Sequence, residues 1–120
     1  MDLGIRGRVA LVCGASRGIA YATAEELARE GCDLFICSRD AASLNTAAGK
    51  LRALGVRVEQ QVADLATAEG IAQVVDAVGQ SFGRVDILVC NTGGPPTGAP
   101  LAHDWAAWTK ASELLLRSVV

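Results

Sequence analysis

The feature that most constrains this chain is an alternation of two periodicities. Short apolar runs are followed three times by amphipathic stretches of helical period. "RVALVC" at 8–13 reads as a buried strand, and 18–30 follows with Ala20, Ala24 and Leu27 on one face until Gly31 stops it. "DLFICS" at 33–38 is a second strand. Beyond Asp40, a good N-cap, Leu44, Ala47, Ala48 and Leu51 recur at i, i+3, i+4 and i+7 up to Gly55. "VRVEQQVAD" at 56–64 begins with period two, and a third helical stretch carries Ile71, Val74, Val75, Val78 and Phe82 on one stripe before Gly83. "VDILVC" at 85–90 is the fourth strand. Strands alternating with helices in this way build βαβ units, so the expected class is α/β, with a doubly wound parallel sheet and right-handed crossovers.

The fourth strand leads into "NTGGPPTGAPL", which suits neither helix nor central strand. A last helix starts near Asp104 and is still apolar at Val120, without a Gly, Asn or Pro stop. The expectation is that the chain halts inside this helix and forms the N-terminal part, 1–120, of a longer protein.

The balance of charges narrows the class of partner. Net charge is −2 with both signs interspersed, which offers no basic face for nucleic acid and no polybasic cluster for anionic lipid. No apolar run approaches the roughly 20 residues of a membrane span, and the N-terminus is broken by Arg6 and Arg8. A cytoplasmic location and a small-molecule partner are expected. Cys13, Cys32, Cys37 and Cys90 lack C-x-x-C spacing and, with the single His103, make a poor metal set, so they read as small buried thiols in a reducing compartment.

The turn after the first strand reads Gly14-Ala15-Ser16-Arg17-Gly18-Ile19-Ala20, a variant of the glycine pattern that brings pyrophosphate to a helix N-terminus. A glycine turn alone serves steric needs equally well. Its position argues for more: in a sheet ordered 3-2-1-4 the first strand ends beside the fourth, where Asn91-Thr92-Gly93-Gly94 forms a second glycine loop. At the end of the second strand stand Ser38 and Arg39, where a carboxylate would favour an unmodified ribose and a guanidinium a phosphorylated one. Arg17 could approach the same phosphate; both arginines could equally be solvated surface groups. Asp64 is a candidate partner for an adenine amino group or a cap for the next helix, and spacing does not separate the two.

With "GASRGIA", "SRD", "ADL" and "NTGG" in order along essentially the whole chain, the sequence resembles the short-chain dehydrogenase/reductase family, and within it the 3-oxoacyl-[acyl-carrier-protein] reductase-like members. The resemblance implies a Rossmann-type fold and NADP(H) in preference to NAD(H). It places Gly14, Ser16, Arg17, Gly18 and Ile19 on the phosphate side, Ser38 and Arg39 as selectors of NADP, Asp64 and Leu65 at adenine, and Asn91, Thr92 and Gly93 along ribose and nicotinamide. It also implies a carbonyl or alcohol substrate and a homo-oligomer, dimer or tetramer, that meets through the last helix. Cys13, Ala20 and Cys90 depart from the family pattern.

Family catalysis uses a serine and a tyrosine four residues before a lysine. Tyr21 is the single tyrosine and is followed at that spacing by Glu25, so no catalytic residue is assigned here and the catalytic half is expected downstream. An asparagine often found seven residues after the tryptophan of the last helix corresponds to Leu115, counted from Trp108, a tryptophan that reads as core packing. The alternative function is a nucleotide-sensing or scaffolding module without chemistry, a reading that Leu115 and Cys90 favour.

Overall fold

The computed structural model describes residues 1–94 and 96–120; Pro95, in the loop that follows the fourth strand, lies outside the described residues. Four strands, β1 (Val9–Cys13), β2 (Asp33–Ser38), β3 (Val58–Val62) and β4 (Ile87–Val89), form one sheet in the order β3-β2-β1-β4. Every pairing is parallel, and β1 lies opposite β2 from Val9↔Asp33 to Cys13↔Cys37. Helices α1 (Gly18–Arg29), α2 (Ala41–Arg52) and α3 (Ala68–Ser81) form the crossovers. A 3₁₀ turn at Pro100–Ala102 precedes α4 (Trp105–Ser112), and the chain is π-wound over Glu113–Arg117.

The strand period of two divides the core into two layers. Ala10, Val12, Leu34 and Ile36 pack with Ala20, Ala24 and Ala28 of α1 and with Leu44, Ala48 and Leu51 of α2. Their neighbours Leu11, Cys13, Phe35 and Cys37 turn to the other face and meet Val74 and Val78 of α3. The alanine stripe keeps α1 close to the strands, and Ala20, standing where a third glycine is usual, is buried in that contact. At the opposite end of the sheet Asp86 fastens the last strand: its carboxylate accepts from Val9 N at 2.8 Å and pairs with Arg84 at 3.1 Å.

Three packing expectations change. Val75 is 59% exposed, because it sits about 100° around α3 from the sheet-facing Val74. β4 ends at Val89, so Cys90 falls on the loop and is exposed, whereas Cys13, Cys32 and Cys37 are buried. Trp108 is half exposed, since no described element packs over that side of α4, which buries none of its residues.

Candidate nucleotide-binding cleft

The carboxyl ends of all four strands open onto one cleft of about 710 Å³. Gly14, Ser16, Arg17, Gly18 and Ile19 line it from the first turn, Ser38 and Arg39 from the end of β2, Asp64 and Leu65 from the end of β3, and Asn91, Thr92 and Gly93 from the loop after β4. The twelve residues singled out in the sequence therefore share one surface. Four others join them. Asp40 and Ser43 come from the start of α2, Ala63 precedes Asp64, and Leu114 arrives from the π-wound segment.

The first turn is shaped by a close approach. Gly14 has φ +65°, and a Cβ there would lie 2.8 Å from Asn91 Nδ2 and 3.1 Å from the Asn91 carbonyl oxygen. Both backbone conformation and space demand glycine. Gly18, at φ +68°, has open space around it and needs glycine for conformation only. Ala15 N donates to the Cys37 carbonyl at 3.2 Å, which ties the turn to β2.

Beneath the turn, Cys13 and Cys37 face each other across the β1–β2 register. The neighbouring Cys37 thiol, with burial, pushes Cys13 well above the usual thiol range; the same neighbour contact draws Cys37 down, against its burial. This pairing follows from strand register, which the spacing of cysteines could not reveal.

Arg17 stands at the N-cap of helix α1, its side chain makes no capping hydrogen bond, and the first turn carries no acidic residue. Helix α2 is closed by Asp40, which accepts from Ala42 N at 3.2 Å and from the Ser43 hydroxyl. The Ser43 hydroxyl first, then the Ala42 amide, hold the Asp40 carboxyl below the usual carboxylate range, and the charge of Arg17 adds to this. Asp40 is thus turned toward its own helix, while the Ser38 hydroxyl accepts from Asp40 N at 3.3 Å. The Arg39 guanidinium reaches across the cleft, its Nη2 3.8 Å from the position a Cβ on Gly93 would take. Among the described residues neither Arg17 nor Arg39 enters an ion pair. The arrangement offers free helix N–H groups, two unpaired guanidiniums and a carboxylate at separate points of one cleft, which suits an elongated polyanion with a base at one end.

Asp64 caps no helix. Its Oδ1 accepts from Ala66 N at 2.9 Å, and Thr67 performs the capping of α3 by accepting from Gly70 N. Leu114, one residue before the position counted from Trp108, lines the cleft, while Leu115 is 46% exposed. Both residues belong to the π-wound segment Glu113–Arg117. Ser43 could have been found from its place in the first turn after the Asp40 cap; nothing in the sequence marks Leu114. Tyr21, within α1, packs against the core and is not among the residues lining the cleft.

Parallel order 3-2-1-4 with a glycine turn and an uncapped helix at the switch point defines the class of doubly wound dinucleotide-binding α/β proteins. The short chain dehydrogenase family model matches residues 8–120, and the chain belongs to that family. It is 36% identical over 115 residues to the rhamnolipids biosynthesis 3-oxoacyl-[acyl-carrier-protein] reductase of Pseudomonas aeruginosa, covering 96% of this chain and 44% of that protein. The L-sorbose reductase of Gluconobacter frateurii, solved with NADPH and L-sorbose, superposes with a TM-score of 0.95 at 39% identity, over 99% of this chain and 46% of that one. The RhlG/NADP active-site complex of Pseudomonas aeruginosa superposes with a TM-score of 0.87 at 36% identity, over 98% and 45%. The chain thus spans about half the length of the relatives it matches.

Proposed function

We propose that the chain is the nucleotide-binding half of an NADP(H)-dependent short-chain oxidoreductase that transfers hydride between nicotinamide and a ketone or alcohol. The observation that carries this reading is the meeting of an open helix N-terminus with two unpaired arginines at the ends of β1 and β2. The first turn of α1 would receive the pyrophosphate, and Arg17 and Arg39, with the Ser38 hydroxyl, would hold a 2′-phosphate on the adenosine ribose. Asp64, with an acceptor oxygen to spare, would take the adenine amino group, and Leu65 would pack on the base. Asn91, Thr92 and Gly93 would shape the path toward the nicotinamide, whose ring supplies the hydride when bound.

Two of the proteins named above are a 3-oxoacyl-[acyl-carrier-protein] reductase and an L-sorbose reductase, which supports a ketone-reducing class that includes 3-oxoacyl groups. The matched proteins are about twice as long, and the reading assigns the proton-donating residues to that additional length. Leu116 and Val119, exposed on the last turns, together with Trp108, support a homo-oligomer that meets through this helix. Three buried free thiols fit a cytoplasmic setting.

Titration of the protein with NADPH and NADH, followed by calorimetry, tests the cofactor reading. NADPH is expected to bind at least ~10-fold more tightly, and Arg39→Ala to remove most of that preference while leaving NADH nearly unaffected. Equal affinities, or an Arg39→Ala effect shared by both nucleotides, would overturn it.

A further inference from the structure

Asp64 is held from behind by residues that do not line the cleft. Its carbonyl oxygen accepts from Thr67 N at 3.1 Å and from Thr67 Oγ1 at 2.9 Å. The Thr67 hydroxyl also accepts from Gly70 N at 3.0 Å, so a single hydroxyl joins the Asp64 backbone to the first turn of α3 and uses both its donor and its acceptor capacity. Gly70 is buried there without a positive φ, so the glycine is not serving backbone conformation. What it serves is proximity: a Cβ on Gly70 would lie 1.9 Å from the Asp64 carbonyl oxygen and 2.7 Å from its carbon.

A side chain at 70 would therefore force Asp64 or the start of α3 to move by roughly 1 Å, a displacement that binding sites register strongly. The movement would spread, because Ala63 N donates to the Ser38 carbonyl at 3.0 Å and so links this corner to the end of β2. Among the described residues Asp64 Oδ1 is occupied by Ala66 N, and Oδ2 has no hydrogen-bond partner.

We propose that Gly70 and Thr67 are positioning residues for the base-reading end of the cleft, fixing Asp64 so that its second carboxylate oxygen can accept from the exocyclic amino group of adenine. The proposal rests on the dinucleotide reading and sharpens it, since it makes base selectivity depend on two residues that touch no ligand. Simple destabilisation of the fold would weaken every nucleotide alike. Misplacement of Asp64 weakens recognition of the amino group alone.

The test compares NADPH with reduced nicotinamide hypoxanthine dinucleotide phosphate, in which the amino donor is replaced by a carbonyl acceptor. The unaltered protein is expected to prefer NADPH by about 10-fold or more, the scale of a hydrogen bond to a charged group. Thr67→Val, which removes both bonds of the hydroxyl, is expected to reduce that ratio to ~3-fold or less, and Thr67→Ser to retain it. Gly70→Ala is expected to act in the same direction as Thr67→Val; the Thr67 pair keeps the test decisive if the alanine variant fails to fold. Unchanged ratios in folded Thr67→Val and Gly70→Ala would overturn the positioning role, as would failure of the unaltered protein to distinguish two nucleotides that both bind. Failure to bind NADPH at all would overturn the dinucleotide reading, and the positioning role with it.

Discussion

Helices α1 and α2 both begin on the same cleft, and they treat their N-termini in opposite ways. At α2, Asp40 folds back onto the Ala42 amide and the Ser43 hydroxyl and satisfies the helix from within. At α1, Arg17 occupies the cap position and caps nothing, leaving the amides of a glycine-led first turn to find a partner elsewhere. Thr67 and Asp104 close α3 and α4 with their own oxygens, so among the described residues α1 is the one of these four helices that begins without a side-chain cap. The difference marks the helix start that the proposed nucleotide would fill. It also accounts for the acidic residue beside Arg39, which spends its carboxylate on its own helix.

The sharpest way to break the open end of α1 is to distort the turn before it. Gly14→Val places a branched side chain where φ is +65° and where Asn91 leaves 2.8 Å even for a Cβ. The conformational cost of ~1–2 kcal/mol adds to the displacement of Asn91, so a loss of roughly 2 kcal/mol or more is expected, with loss of nucleotide binding. Gly18→Ala meets the conformational cost without the collision and should lose about half as much. Equal losses in urea denaturation would show that the contact with Asn91 contributes nothing.

A smaller effect of mixed sign comes from making α1 resemble α2. Arg17 has φ −165° and ψ 173°, an extended conformation that a capping residue adopts without strain. Arg17→Asp is therefore expected to raise stability by ~0.5–1 kcal/mol through a new cap and a favourable charge at the helix dipole. The same carboxylate should lower NADPH affinity ~10-fold or more, by occupying amides meant for phosphate and replacing a cation with an anion. Parallel melting and binding measurements check it, and a variant that gained stability without losing affinity would show that the pyrophosphate does not use this turn.

The legible part of the molecule was the part governed by local rules. β2 falls on the residues the apolar run marked, 33–38, and the Asp40 cap follows from residue type and position. The sheet order 3-2-1-4 was legible because few topologies accommodate alternating strands and helices. Less visible were features set by contacts between segments distant in sequence. Gly70 reads as an ordinary helix glycine until Asp64 is seen against it, Leu114 reaches the cleft from a segment far along the chain, and Cys13 meets Cys37 only through register. Trp108 carried the apolar signature of a core residue, yet periodicity reports which face is apolar and says nothing about what covers it.

The smallest expected effect separates the two helix starts by pH. Asp40 is held in its charged form by the Ser43 hydroxyl and the Ala42 amide, so its carboxyl titrates lower in the folded chain than in the unfolded one. A depressed folded pKa contributes stability that is complete above the unfolded carboxylate range and drains away as pH falls through the folded value. Asp40→Asn keeps an oxygen able to cap and removes the charge that titrates. The variant is therefore expected to melt slightly below the unaltered protein near neutrality and to converge on it in acid, with the acid arm of its melting curve flatter. At α1, Arg17 contributes no side-chain cap. Parallel melting curves for the two proteins down to low pH would mean that the ion at Asp40 contributes nothing beyond its shape, and the contrast between the two helix starts would reduce to the presence or absence of an oxygen.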